Sequence, residues 1–123
     1  MVSSRLAPCP DTPNCVSTDA TDRVHAAAPF RLAVPARQGW TAVRAAVGEL
    51  PRARIVAERH DYLHAECRSL IFGFVDDLEL ELRSSAGMIA VRSAARVGRG
   101  DLGVNRRRVE RLRAMLTVRG VIH

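Results

Sequence analysis

The sequence predicts an α+β domain. An antiparallel β-sheet of about five strands, in the order β-α-β-β-β-β-α, carries two helices packed on one face. Two segments show helical spacing of apolar residues, one around Trp40 and one around Val109. Between them, residues 74–83 alternate apolar and polar side chains with the period of a strand. Loops of hairpin length separate the later strands, which favours antiparallel pairing.

Residues 1–22 are predicted to form an extended, turn-rich arm. They contain three prolines among Asp, Ser and Thr residues, and proline removes a backbone hydrogen-bond donor. Residues 23–123 then form the single α+β domain. Its first strand lies within residues 23–34, and we expect it at an edge of the sheet because Pro29 lacks a backbone N–H.

The first helix is predicted from a stripe of large apolar residues at helical spacing. The stripe consists of Trp40, Val43, Val47 and Leu50. Pro35 is favourable at the start of a helix, and Gly48 followed by Pro51 favours its end.

Residues 52–69 are predicted to form the next two strands, joined by a turn at His60 and Asp61. The following strand covers residues 74–83, and its two faces differ in polarity. One face carries Phe74, Asp76, Leu78, Leu80 and Leu82; the other carries Asp77, Glu79, Glu81 and Arg83.

A turn at residues 84–87 leads to the last strand, within residues 88–97. Symmetric closure of this hairpin places Leu80 opposite Val91 and Glu79 opposite Arg92. This register keeps one face apolar and gives the other an ion pair.

The last helix follows a loop at residues 98–103. Asn105 is predicted as its N-cap, because Asn is a favoured capping residue. Val109, Leu112 and Leu116, flanked by Met115, form its apolar side.

Composition limits the function classes. The chain has 123 residues, 19 Arg and 13 acidic residues, and a net charge of +6. A net positive charge is typical of nucleic-acid-binding proteins, but here the charge is unevenly distributed along the chain. Residues 61–83 hold 6 acids against 2 Arg, and residues 84–123 hold 9 Arg against 2 acids. We therefore expect acidic and basic segments to pair within the fold.

Three cysteines are too few for a disulfide scaffold. Cys9 and Cys15 are compatible with a local disulfide or with free thiols. A metal site is a weaker alternative, because the spacing of the two cysteines does not match that of known zinc sites. No cofactor motif is present, so we expect neither a metal nor another cofactor. No stretch is long and apolar enough to span a membrane, and residues 1–7 lack the apolar core of a signal peptide. As written, the chain is expected in the cytoplasm.

Asp76 is the chemical outlier of its strand, because it shares a face with leucines. A carboxylate in an apolar setting has a raised pKa and can act as a general acid or base. The structural alternative is that Asp76 pairs with an arginine or caps a backbone group. Both interpretations stay open at this point.

Three arginines, Arg106–Arg108, occupy the predicted first turn of the last helix, where the helix dipole favours anions. Their charge is balanced either by internal acids, of which Asp76, Asp77 and Asp101 are available, or by an external anion. On the preceding strand, Arg92 and Arg96 project from the polar face, and Arg92 is expected to form a surface ion pair with Glu79.

Four segments in chain order resemble one known family: CPDTPNCVS at residues 9–17, FVDDLE at 74–79, VRSAARVG at 91–98 and DLGVNRRRVE at 101–110. The chain is similar to the bacterial and plant family called domain of unknown function 1499. The resemblance implies that the chain is one family domain. It also implies an oxidised Cys9–Cys15 pair, as in relatives that look exported or membrane-anchored. The family's signature polar residues fall on Asp76, Asp77, Arg92, Ser93, Arg96, Asp101, Asn105 and Arg108.

Three functional hypotheses follow. The first is a small ligand-binding or interaction domain that holds an anionic small molecule with a polar cluster at the last helix. That cluster comprises Arg92, Ser93, Arg96, Asp101, Asn105 and Arg108. The second is a small metabolite enzyme of the isomerase or cyclase type, with Asp76 as acid/base beside Trp40, Phe74 and Leu78. The third is nucleic-acid binding, which the acidic strand and the shortage of aromatic residues oppose.

Overall fold

A computed structural model describes residues 6–70, 72–98 and 100–123. Its strands are β1 (Cys15–Ser17), β2 (Phe30–Arg31), β3 (Ala53–Glu58), β4 (Tyr62–Arg68), β5 (Val75–Arg83) and β6 (Met88–Ala95). Its helices are α1 (Ala36–Gly48) and α2 (Val104–Val118), with a short 3₁₀ turn at Ser84–Ala86. None of the helices in these ranges is long and apolar enough to cross a membrane.

The strands form one antiparallel sheet in the order β1-β6-β5-β4-β3, and β2 pairs with β6 beside β1. The predicted α+β class is therefore confirmed. The strand β1 lies within residues 1–22, which are predicted from sequence to form an extended arm. Its three residues are too few to show alternation, and its pairing with residues 92–94 of β6 depends on tertiary contact.

The β5–β6 hairpin has the predicted register. Leu80 lies opposite Val91, and Glu79 lies opposite Arg92. A shift by one residue would turn the apolar side chains to the other face. The strands β3 and β4 also form an antiparallel hairpin, around the turn at residues 59–61. Its register has one irregularity, between Ile55 and Ala57.

Both helices pack on one face of the sheet and enclose the hydrophobic core. The strands contribute Leu63, Leu78, Leu80, Leu82, Ile89 and Val91; α1 contributes Trp40, Val43 and Val47, and α2 contributes Val109, Leu112 and Leu116. The two predicted apolar stripes are thus the buried faces of the helices. The opposite face of the sheet, called the outer face below, carries charged residues.

The structure corrects the position of Phe74. The strand β5 begins at Val75, and the Phe74 side chain is 55% exposed instead of buried with the leucines. Its backbone exchanges hydrogen bonds with Ser69: the Phe74 N–H donates to Ser69 Oγ, and the Ser69 N–H donates to the Phe74 carbonyl. Phe74 therefore closes a loop between β4 and β5 and does not reach the core.

Candidate functional site

The residues that the sequence singles out divide between the two faces of the sheet. Asp76, Ser93, Asp101, Asn105 and Arg108 meet on the helix side and are called the buried network. Arg92 of β6 and Arg96, the residue directly after β6, point to the outer face, because successive side chains of an extended chain alternate. The predicted six-residue anion cluster is therefore not a single site.

Asn105 is the centre of the buried network. Its side-chain oxygen accepts hydrogen bonds from Ser93 Oγ at 2.6 Å and from Arg108 Nη1 at 2.8 Å. Its side-chain nitrogen donates to the Asn14 carbonyl at 3.2 Å and to Asp101 Oδ2 at 2.7 Å. All four capacities of this fully buried amide are used. Asn105 thus joins the N-terminal segment, β6 and α2.

Asn105 is not the N-cap that the sequence predicts. The cap position is Gly103, and α2 begins at Val104. Asp101 supplies the capping oxygens instead, because it accepts from the Gly103 N–H at 2.9 Å and from the Asn105 N–H at 3.0 Å. Burial raises the pKa of Asp101, but the hydrogen bonds from Asn105 and Gly103 outweigh it and hold that pKa below its ordinary value. The anion favoured by the helix dipole is therefore internal.

Asp76 faces the helices, as its position in the strand predicts, and it pairs with Arg108. The Arg108 Nη1 atom lies 2.9 Å from Asp76 Oδ2, and the two side chains are 14% and 13% exposed. This is the structural alternative stated for Asp76 from sequence. Arg108 Nη1 also donates to Ser93 Oγ at 3.1 Å. The ion pair therefore fixes one edge of the Arg108 guanidinium.

The other two arginines of the triplet bind backbone carbonyls. Arg106 donates to the carbonyls of Ala26 and Val24, at 2.9 and 3.1 Å. Arg107 donates to the Leu102 carbonyl at 2.8 Å. Of the three arginines, only Arg108 has an internal carboxylate partner among the described residues. The charges of Arg106 and Arg107 are thus hydrogen-bonded without being neutralised.

A groove of about 640 Å³ runs along the exposed side of α2 beside this triplet. Its lining residues are Leu50, Pro51, Arg52, Arg68, Val104, Arg107, Arg108, Glu110 and Arg111. We call it the arginine groove. The helix contributes Val104, Arg107, Arg108 and Arg111, whose spacing places them on one face. The opposite wall comes from residues 50–52, between α1 and β3, and from Arg68 at the end of β4.

The arginine groove carries a strong positive charge. Its one acidic lining residue, Glu110, is paired with Arg113 at 2.9 Å, outside the groove. Across from the helix, Arg52 Nε donates to the Arg68 carbonyl at 3.1 Å. Arg52 adopts a left-handed backbone conformation, with φ of +54°, which is uncommon for a residue with a Cβ. Arg111 has no ion-pair partner in the described part of the chain.

On the outer face, Arg96 joins two acidic residues of neighbouring strands. It binds Asp77 through two contacts of 2.8 Å and Glu66 through one of 2.6 Å. His64 Nε2 also lies 2.7 Å from Asp77. The hydrogen bonds from Arg96 lower the pKa of Asp77 and of Glu66. Arg96 is thus paired with two internal carboxylates.

Arg92 pairs with Glu79 as predicted, but the pair is not on the surface. The guanidinium lies 3.5 Å from Glu79, and the two side chains are only 14% and 17% exposed. The N-terminal segment covers them, since Arg92 Nη2 donates to the Pro8 carbonyl at 3.4 Å. Tyr62 also donates a hydrogen bond to Glu79. Arg92 Nε is buried without a partner among the described residues.

The cysteines take two different states. Cys9 and Cys15 form a disulfide, which closes the N-terminal loop. Cys67 is a free and buried thiol, and burial raises its pKa. It faces the core while His64 faces the outer face, so the two cannot act together. No group of three or more His, Cys, Asp or Glu side chains in the described residues is arranged to hold a metal ion.

A comparison with known proteins places the chain in one family. The family described as "Protein of unknown function (DUF1499)" matches residues 5–116. The chain belongs to this family. No curated protein and no solved structure matches it.

As a member of the DUF1499 family, the chain contains four segments that resemble the family, and two of these form parts of the structure described above. The segment CPDTPNCVS carries the disulfide and β1, and the segment DLGVNRRRVE carries Asp101, the start of α2 and one wall of the arginine groove. The other wall, with Arg52 and Arg68, lies outside the four segments, and neither arginine is among the site residues predicted from sequence. Only the helical spacing of Arg107, Arg108 and Arg111 could have indicated the groove from sequence.

Proposed function

We propose that this protein is a small ligand-binding domain that holds an anionic small molecule in the arginine groove. The observation that carries the proposal is the charge of the groove wall. Five arginines line it: Arg52, Arg68, Arg107, Arg108 and Arg111. Arg108 is paired with Asp76, Arg68 lies 3.7 Å from Glu66, and the one carboxylate of the wall is engaged by Arg113. Arg52, Arg107 and Arg111 have no carboxylate partner among the described residues. Such a concentration of like charge is costly unless an anion or solvent ions balance it.

The chemistry of the wall indicates the ligand class. Guanidinium groups present planar pairs of donors that match carboxylate and phosphate oxygens. Leu50, Pro51 and Val104 add apolar surface to the same groove. A volume of about 640 Å³ lies within the range of small-molecule sites. We therefore propose a carboxylate or phosphate ligand with an apolar portion.

In this proposal the buried network is a support for Arg108. Asp76, Ser93 and Asn105 all contact Arg108 Nη1, and this leaves Nε and Nη2 for the groove. The network therefore positions the guanidinium that links the protein interior to the ligand. A guanidinium held in this way loses little conformational entropy on binding.

Isothermal titration calorimetry with inorganic phosphate, citrate and hexanoate tests the proposal. We expect at least one of these probes to bind, and a double variant Arg107→Gln/Arg111→Gln to weaken its affinity by about tenfold, since each lost ion pair contributes up to about 1 kcal/mol. Arg23→Gln/Arg59→Gln is the matched control, because it also removes two charges and both arginines are exposed and lie outside the groove. Equal losses of affinity in the control and in Arg107→Gln/Arg111→Gln would mean that only the net charge matters. Absence of binding for all three probes would overturn the proposal.

The two other hypotheses receive less support. The Asp76–Arg108 ion pair occupies the carboxylate that the enzyme hypothesis requires as acid or base. Nucleic-acid binding predicts affinity for a single-stranded oligonucleotide that falls steeply with salt, and the same titration can include one. Oligonucleotide binding that survives the double variant would favour that class.

The disulfide bears on the compartment. Disulfides persist mainly in oxidising compartments and are rare in the cytoplasm. We propose that the protein works in an oxidising compartment, in place of the cytoplasmic location expected from sequence. Alkylation of the protein from its native cells tests this: Cys9 and Cys15 should resist the reagent until a reductant is added.

A further inference from the structure

Exposed apolar side chains concentrate at one end of the molecule. This end, called the loop end, is where β4 runs into β5, where β6 runs into α2 and where β3 begins. Six of the nine large exposed apolar residues recorded in the described chain lie there: Leu70, Phe72, Phe74, Val97, Leu102 and Val104. Scattered exposed apolar residues are ordinary, but a cluster of them indicates an interaction surface.

The loop between β4 and β5 holds Leu70, Phe72 and Phe74 away from the core. Two hydrogen bonds between Ser69 and Phe74 close the loop at its base, one between backbone groups and one from the Phe74 N–H to Ser69 Oγ. Gly73 takes a left-handed conformation with φ of +66°, which makes the tight return possible. Leu70 and Phe72 are 77% and 74% exposed at the tip. The rings of Phe72 and Phe74 lie 5.5 Å apart and form one apolar surface.

Arginines flank this apolar loop. A hollow of about 740 Å³ separates the loop from the start of β3, and Arg52, Arg54 and Arg68 line it together with Leu70 and Phe72. The single acidic residue of the hollow, Glu66, is held at 2.6 Å by Arg96 and lies 3.7–3.8 Å from Arg54 and Arg68. The side chain of Arg54 is 78% exposed. Cations thus outnumber the available negative charge around the loop.

We propose that the loop end docks on an anionic phospholipid bilayer. Leu70 and Phe72 would enter the boundary between headgroups and acyl chains, while Arg52, Arg54 and Arg68 contact the lipid phosphates. Apolar side chains surrounded by basic residues are complementary to such an interface, because the acyl chains accept the apolar side chains and the anionic headgroups attract the arginines. A protein partner would have to supply an apolar pocket and an acidic rim together, whereas the bilayer supplies both. This inference stands independently of the proposed anion binding, although the two share Arg52 and Arg68.

Sedimentation with vesicles tests the proposal. Vesicles of phosphatidylglycerol and phosphatidylcholine should retain the wild-type protein, and pure phosphatidylcholine should retain much less. The double variant Leu70→Ser/Phe72→Ser should lower the partition coefficient on the anionic vesicles by about tenfold or more, because two large apolar side chains no longer leave water. Since both side chains are exposed, the variant should keep the fold. Val118→Ser, an exposed apolar residue at the other end of α2, is the matched control.

Several outcomes would overturn the docking proposal. These are no binding to anionic vesicles, equal loss with Val118→Ser, or unchanged binding by the double variant. If the double variant instead abolishes a dimer seen by analytical ultracentrifugation and vesicle binding is absent, the apolar loop is covered by a second copy. The tests of the two proposals separate, because Leu70 and Phe72 do not line the arginine groove. Leu70→Ser/Phe72→Ser should bind soluble anions as the wild type does.

Discussion

The change Asn105→Ala removes the centre of the buried network. The alanine side chain abolishes two accepted and two donated hydrogen bonds at once. All four partners keep another contact. The Asn14 carbonyl still accepts from the Ala95 N–H, Asp101 still caps α2, and Arg108 still binds Asp76. The Ser93 oxygen still accepts from Arg108 Nη1, but the Ser93 hydroxyl proton loses its acceptor inside the core.

The expected loss of stability follows from these contacts. Four hydrogen bonds at a net value of about 0.5–1.5 kcal/mol each would give about 2–6 kcal/mol. The remaining partners place the loss in the lower part of that range. Alanine also favours a helix over asparagine by about 0.5 kcal/mol. We expect Asn105→Ala to lower the free energy of unfolding by about 2–3 kcal/mol, a large part of the total for a domain of this size.

Urea denaturation with the disulfide intact measures this loss. With an m-value of about 1.5 kcal/mol/M, the midpoint should fall by about 1.3–2 M. Thr117→Ala, on the exposed side of the same helix, should change the free energy of unfolding by only about 0.5 kcal/mol. A double-mutant cycle with Ser93→Ala should give a coupling of about 1 kcal/mol. A loss below about 1 kcal/mol for Asn105→Ala, or zero coupling, would refute the claim that this network stabilises the fold.

Three further predictions concern other parts of the structure. Cys9→Ala/Cys15→Ala should lower the free energy of unfolding by about 2 kcal/mol, because the unfolded chain gains conformational entropy when a loop of this length is no longer closed. An unchanged urea midpoint would contradict this. Leu112→Ala should cost about 2–5 kcal/mol in the same assay, because a fully buried side chain leaves a cavity, and a smaller cost would mean that the core closes around it. Arg96 lowers the pKa of Asp77 below its ordinary 3.8. The stability that this pair contributes is therefore present above about pH 4 and lost as the pH falls through the lowered pKa. Acid titrations of Asp77→Asn should show a shallower decline than the wild type, and parallel curves would rule out this contribution.

Short-range patterns were sufficient for most of the fold. The alternation in residues 74–83 predicted the strand, and symmetric closure at the turn of residues 84–87 predicted the register of the β5–β6 hairpin, because the period of two fixes the face of each side chain and the turn fixes which residues pair. The helical stripes predicted the buried faces of α1 and α2. The strand β1 was beyond this reasoning, since it consists of three residues whose hydrogen-bond partners lie more than 70 positions away.

The candidate site was predicted only in part. The position of Asp76 in its strand indicated that it needs a partner, and the crowding of Arg106–Arg108 indicated that charge must be balanced near α2. The partner itself, Arg108, and the role of Asn105 as a buried junction required the three-dimensional packing of α2 on β6. Gly103, not Asn105, is the cap position of α2, because Asp101 accepts the hydrogen bonds of the Gly103 and Asn105 N–H groups.

The sequence by itself determined the architecture, the two helical faces and the surplus of arginine near the start of α2, because each of these depends on spacing along the chain. Only the tertiary structure decided which charges are neutralised. It withdrew Arg96 and Arg92 into ion pairs on the outer face and joined Arg108 to Asp76. It also brought Arg52 and Arg68 opposite Arg107 and Arg111. Electrostatic partners are set by distance in space, and residues about 40 to 60 positions apart become neighbours only when the sheet and the helix pack together.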